Sequence, residues 1–104
     1  MPDYGSTSSS QTLREGERIN LKATTISGVS PAARLRWYRG DEEITDDEMS
    51  GVHISERHDA RNNVKCSFLT ISPAKQSHSD IYTCINTDNE SVVMLAIVKV
   101  KAKQ

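Results

Sequence analysis

Apolar residues in this chain recur at every second position, in short stretches that turn-forming residues cut apart. From Arg14 onward the breaks fall at Glu15-Gly16, Ser27-Gly28-Val29-Ser30-Pro31, Arg39-Gly40-Asp41, Ser50-Gly51, Arg61-Asn62-Asn63, Ser72-Pro73 and Asp88-Asn89. Ile19, Leu21 and Ala23 alternate with Arg18, Asn20 and Lys22. Leu35 shares a face with Trp37, Val52 with Ile54, and Leu69 with Ile71, and the last two strands run from Ile81 to Asn86 and from Val92 to Lys101. Only Asp46 to Ser50 and Ala74 to Ser79 could turn helically, and neither is long enough for a free-standing helix. Many short strands with frequent turns predict an all-β sandwich.

Length allows one domain: 104 residues. A formal charge of −1 gives no electrostatic excess for gripping a nucleic-acid backbone, so no nucleic acid is expected as a partner. No run approaches the apolar length that spans a bilayer, so no membrane insertion is expected, and no targeting signal follows Met1. Leu, Ile, Val and Phe number only 21 of the 104 residues, so the core is expected to be thin. Residues 1–10, mostly Ser, Thr, Gly, Asp and Pro, are expected to be a flexible leader or linker, with a short edge strand at Ser10 to Leu13 and the domain running over residues 11–102.

The order of features from Gln11 to Lys101 resembles an immunoglobulin-like domain of the intermediate (I) set. Glu15-Gly16-Glu17-Arg18-Ile19-Asn20-Leu21-Lys22 is similar to that family's approach to strand B, Trp37-Tyr38-Arg39 to strand C, and Phe68-Leu69-Thr70-Ile71-Ser72 to strand E. Ile81-Tyr82-Thr83-Cys84 is similar to the tyrosine corner that leads into strand F. The resemblance implies a Greek-key sandwich of two antiparallel sheets, with Ala23, Trp37, Leu69, Ile71, Tyr82 and Cys84 in its core.

Three positions depart from the family pattern. The strand-B cysteine that the family bridges to the strand-F cysteine is Ala23 here, which leaves Cys84 without its usual partner. The corner reads His78-Ser79-Asp80-Ile81-Tyr82, with His78 where the family has an acid and Asp80 where it has a glycine, so the family's acid-to-arginine bridge is not carried over. The last hairpin, Asn86-Thr87-Asp88-Asn89-Glu90-Ser91, has no glycine, and Asn89 is the expected site of positive φ.

Strand parity turns Cys66 outward and Cys84 inward, so the two sulfurs are not expected to meet unless a bulge intervenes. A sandwich without a bridge forgoes about 2–4 kcal/mol, which a reducing compartment would deny it anyway. On this ground the favoured setting is cytoplasmic, and the unbridged domain resembles those of giant muscle and cytoskeletal proteins, including sarcomeric ones. The alternative is an extracellular cell-adhesion or matrix domain. Two features fit it: Arg39-Gly40-Asp41 at the strand C turn, the chemistry with which integrin ligands reach an acidic pocket and bound metal, and the glycosylation pattern Asn89-Glu90-Ser91.

The run Asp41, Glu42, Glu43, Asp46, Asp47 and Glu48 lacks calcium-loop spacing, and His53, His58 and His78 make no zinc spacing with the cysteines, so no metal or other cofactor is expected. No nucleophile elbow, phosphate-cradling loop or His-Glu-x-x-His occurs, and a small sandwich has no room for a deep pocket, so no enzyme activity is expected. The last strand is the most informative. With Val92, Met94, Ala96, Val98 and Val100 facing inward, Val93, Leu95 and Ile97 face out, where polar residues are the rule. The same parity exposes Tyr38 and Ile85, and the resemblance sets strands G, F and C side by side. Tyr38, Ile85, Val93, Leu95 and Ile97 are therefore expected to form a protein-binding face for a partner protein, an adjacent domain or a second copy in a homodimer, unless a bulge returns some of them to the core.

Overall fold

The computed structural model describes residues 7–25, 34–88 and 90–103. Among the described residues eight strands form two stacked sheets: β1 (Thr7–Arg14), β2 (Ile19–Thr24), β3 (Leu35–Arg39), β4 (Glu42–Ile44), β5 (Val52–Asp59), β6 (Val64–Ile71), β7 (Asp80–Asn86) and β8 (Ser91–Lys101). The larger sheet runs in the order β1-β8-β7-β3-β4, and the smaller in the order β2-β6-β5. The two segments read as loops each tighten into one 3-10 turn, Glu48–Ser50 and Gln76–His78.

Strand pairing follows from side-chain alternation. In the smaller sheet Ile19 lies beside Ile71, Leu21 beside Leu69 and Ala23 beside Ser67, so each matched pair presents the same inward face. All six are buried, as are Leu35, Trp37, Tyr82, Cys84, Met94, Ala96, Val98 and Val100 from the larger sheet. These two inner faces are the core. Turn chemistry sets the ends: Gly40 at the β3–β4 tip has φ +58, and Gly51 at φ +75 lies so close to the Ser72 carbonyl that a Cβ there would collide with it.

Two expectations about the sheets need correction. Pairing begins at Thr7, inside the stretch read as a leader, because Ser and Thr side chains are tolerated on an exposed edge strand. β1 also runs parallel to β8, so the larger sheet is antiparallel only from β8 to β4. Parallel neighbours need a long connection, and here the rest of the domain supplies it.

The third correction concerns the last hairpin. Cys84 lies opposite Met94, but the next residue, Ile85, lies opposite Val92, so β8 carries an extra residue at Val93. The bulge turns two consecutive side chains inward, with Val93 and Met94 both buried, and Val92 outward. Inward Val92 and outward Val93, the expectation from strict alternation, are thereby exchanged. Glu90 takes the left-handed backbone of this hairpin at φ +56, and Asn89 lies outside the described residues.

Candidate functional site

The outer face of the larger sheet is built in register across its strands. One level holds Ser10, Ile97 and Ile81; the next holds Ser8, Leu95, Thr83, Tyr38 and Glu43; the level beyond the bulge holds Val92, Ile85 and Arg36. Ile97 is 51% exposed, Ile81 47% and Val92 41%, and among the described residues these are the large β-branched side chains that stand furthest into solvent. Tyr38, Thr83, Ile85 and Leu95 are half-buried between them. The result is a continuous apolar surface over β8, β7 and β3. It is bordered by the hydroxyls of β1 on one side and by the Arg36–Glu43 ion pair, 3.1 Å, on the other.

The structure therefore brings Tyr38, Ile85, Leu95 and Ile97 together and removes Val93 to the interior. Val92 and Ile81 join the face without having been singled out from the sequence. Ile81 is legible in the sequence, because it shares parity with Thr83 and Ile85. Val92 was not legible, because a one-residue bulge leaves no mark in an all-apolar run.

At one end of this sheet lies a polar cluster. The Tyr82 hydroxyl donates to the His78 carbonyl at 2.6 Å, which makes the corner, and burial raises the phenol's pKa. Arg39 Nε approaches Asp80 Oδ2 at 3.3 Å. An acid-to-arginine bridge is thus present after all, made from the family's glycine position rather than its acid position. The His78 Nδ1 accepts from the Lys75 amide at 2.9 Å, and burial, followed by the Arg39 and Lys75 charges, lowers its pKa.

That bridge bears on Arg39-Gly40-Asp41. Asp41 sits exposed on the hairpin tip, but the Arg39 guanidinium is turned to Asp80 rather than out beside it. Half of the acidic run is engaged locally. Glu43 binds Arg36, Asp46 accepts from the Ile54 amide at 2.8 Å and lies 3.2 Å from His53, and Asp47 accepts from Ser50 at 2.8 Å. Among the described residues no group of three or more His, Cys, Asp or Glu is placed to hold a metal.

Both cysteines are free thiols. Cys84 is fully buried, which pushes its pKa up to about 12, with the Glu56 carboxylate adding to the effect. Cys66 is half-buried, with its sulfur 3.5 Å from the Thr24 hydroxyl.

The sequence profile of the family described as "Immunoglobulin domain" matches residues 2–87. This chain belongs to the immunoglobulin domain family. A search of curated protein sequences finds no match. Among solved structures, Dpr2 Ig1-Ig2 in complex with DIP-Theta Ig1-Ig3 superimposes with a TM-score of 0.73 at 16% identity, over 90% of this chain and 46% of that one. The immunoglobulin domain thus spans less than half of that neighbour's length. The first Ig domain of the mouse polymeric immunoglobulin receptor gives 0.68 at 15% identity, over 91% of each chain. The ZIG-8–RIG-5 IG1-IG1 heterodimer gives 0.62 at 18% identity, over 88% of this chain and 81% of that one. At these identities the likeness is one of fold.

Proposed function

We propose that this immunoglobulin domain is a protein-recognition module of a cell-surface or extracellular protein, without enzymatic activity, and that it binds another immunoglobulin-like domain through the outer face of its larger sheet. The observation that carries the reading is the contiguous exposure of Ile81, Val92 and Ile97 beside half-buried Tyr38, Ile85 and Leu95. A solvent-facing sheet normally alternates to polar residues there, and a contiguous apolar patch on a small domain marks an interaction surface. Two of the similar structures are complexes between immunoglobulin-domain proteins, one of them an IG1-IG1 heterodimer, which supports a partner of the same kind.

The test is to display the domain on cells and probe it with a panel of immunoglobulin-like ectodomains. Binding is expected to be lost in Ile81→Glu and Ile97→Glu, whose side chains are too exposed to hold the core, and kept in Ser55→Glu on the opposite sheet. Equal loss in all three would count against the face. The integrin reading of Arg39-Gly40-Asp41 requires Arg39 to leave Asp80, and Asp41→Ala in a cell-adhesion assay tests it.

One observation favours a second setting, the intracellular domain of muscle or cytoskeleton and its I-set resemblance: Ala23 stands where a bridge partner for Cys84 would be, and Cys84 is a free buried thiol. Expression of the parent protein with a glycan-shift assay at Asn89 separates the two. An occupied glycan places the domain outside the cell, and no shift alongside two thiols that stay reduced in cells supports the intracellular one.

A further inference from the structure

β1 and β8 end side by side in cations. Their parallel register sets Arg14 directly beside Lys101 and Thr12 beside Lys99, and all four side chains are exposed on the same side as Ile97. Lys103, also exposed, follows past the end of the strand. Asp80 pairs with Val98, so Lys99 and Lys101 run beyond the start of β7 and clear of the apolar surface. There the Ser79 hydroxyl takes over as the neighbour of β8, accepting from the Val100 amide at 2.8 Å.

Like charges directly opposite each other destabilise a strand pair unless a carboxylate intervenes. None does: among the described residues Arg14, Lys99, Lys101 and Lys103 have no ion-pair partner. Two acids border the cluster and are turned to the backbone. Glu17 accepts from the Arg14 amide at 2.6 Å and Glu15 from the Lys103 amide at 3.2 Å. The exposed Asp41 and Glu42 stand on the β3–β4 hairpin at the other margin of the sheet. From β8 to β4 is three strand spacings, about 14 Å, well beyond the screening length of about 8 Å at physiological ionic strength. A chain of net charge −1 thus keeps a local group of cations that its own acids leave unneutralised.

The surroundings of the cations give the shape of what they hold. Along β1 the outward side reads Ser8, Ser10, Thr12, Arg14, a row of hydroxyls leading to the cationic end, and beside it on β8 stand Leu95 and Ile97. Ser8 to Arg14 spans about 20 Å at the usual rise of a strand. This is a linear strip, hydroxylic on one border and apolar on the other. A sulfated polysaccharide matches each part of it. Its sulfates pair with guanidinium and ammonium groups, its hydroxyls with those of serine and threonine, and its pyranose rings offer C–H faces to Leu95 and Ile97. A single-stranded nucleic acid would need aromatic side chains on which to stack its bases, and β1 and β8 carry none. An anionic bilayer surface calls for about four to eight clustered cations, and three share this strip.

From the unneutralised cations and the hydroxyl row that leads to them, we infer that the β1–β8 edge binds a sulfated polysaccharide, with sulfates at Arg14, Lys99 and Lys101 and the chain running along Thr12, Ser10 and Ser8. The inference rests on the cell-surface setting proposed above, because such chains lie outside cells, and it adds a second ligand to that of the apolar surface.

The experiment is titration calorimetry of the purified domain with a heparin-derived oligosaccharide, with urea unfolding followed by Trp37 fluorescence as the check on folding. The wild type is expected to bind with a log–log salt slope of about −2 for three contacts, an affinity loss of about twentyfold between about 50 and about 200 mM salt. Arg14→Gln and Lys101→Gln are each expected to weaken binding by about fivefold at low salt. Arg57→Gln, an equal loss of charge on the exposed edge of the smaller sheet, is expected to change it little. No binding by the wild type, or equal weakening in Arg57→Gln, overturns the site. Equal binding of the desulfated oligosaccharide, of a single-stranded oligonucleotide or of phosphatidylserine vesicles overturns the choice of ligand. Ile81→Glu, on β7, is expected to leave the oligosaccharide bound while abolishing recognition of another immunoglobulin-like domain, so either site can fail without the other. An unglycosylated Asn89 with thiols that stay reduced in cells removes the setting, and with it the polysaccharide as the natural occupant.

Discussion

The indole Nε1 of Trp37 donates to the Ser67 hydroxyl at 2.8 Å, and both side chains are fully buried. Trp37 belongs to the larger sheet and Ser67 to the smaller, so this bond is a polar tie between the two layers. Trp37 lies beside Cys84 and Ser67 beside Ala23. The tie therefore adjoins the two positions that an immunoglobulin domain ordinarily bridges with a disulfide.

Removing the acceptor exposes what the tie contributes. Ser67→Ala leaves a buried indole N–H without a partner, and an unsatisfied buried donor costs about 1–3 kcal/mol. Urea unfolding followed by Trp37 fluorescence is expected to show the midpoint falling by a corresponding amount with the slope unchanged. An unchanged midpoint would mean that the hydroxyl is dispensable to the stack.

Restoring the family's bridge is the converse change. Ala23 and Cys84 are both fully buried in the shared core, on opposite sheets. In Ala23→Cys, oxidation is expected to join the two thiols and stabilise the domain by about 2–4 kcal/mol, mainly by restricting the unfolded chain. Mass spectrometry should show the loss of two protons, with Cys66 still alkylated. A bridge to Cys66 instead would mean that β6 is held one residue out of the register described.

Much of this architecture is legible in the residues, and the misses have physical causes. Ile19, Leu21, Leu69 and Ile71 alternate with polar neighbours, and that contrast fixes which way their strands face. Residues 92–98 contain no polar residue to mark a face, so nothing there distinguishes a regular strand from one with an extra residue, and Val92 and Val93 exchange places. β1 is hidden for the opposite reason. Its Ser-rich sequence has no apolar signature, and it pairs through backbone groups that every residue possesses. The Arg39–Asp80 bridge joins residues 41 positions apart and depends on the corner geometry, not on local pattern.

Acid is expected to loosen the corner at His78. Burial, then the Arg39 and Lys75 charges, place its folded pKa below the ordinary value of 6.5, and its Nδ1 serves as an acceptor for the Lys75 amide. The folded state therefore favours the neutral ring. That contribution is complete above the unfolded pKa and is lost as pH falls through the folded one. His78→Gln is expected to flatten the decline in stability below about pH 6.5. A decline as steep as in the wild type would assign the acid sensitivity to the carboxylates.

The bulge makes a prediction that strict alternation would reverse. Val93 is 5% exposed and Val92 41%. Val93→Ser removes buried apolar surface and buries a hydroxyl in its place, a loss of about 2–3 kcal/mol. Val92→Ser alters a solvent-facing position and should fall within about 0.5 kcal/mol of wild type. Thermal melts of the two variants side by side are expected to separate by roughly 6–24 °C, at the usual 4–8 °C per kcal/mol for a domain near this size. If Val92→Ser proved the damaging change, β8 would be regular, Val93 would take the place of Val92 on the outer face, and the apolar surface would end one residue further from the β7–β8 hairpin.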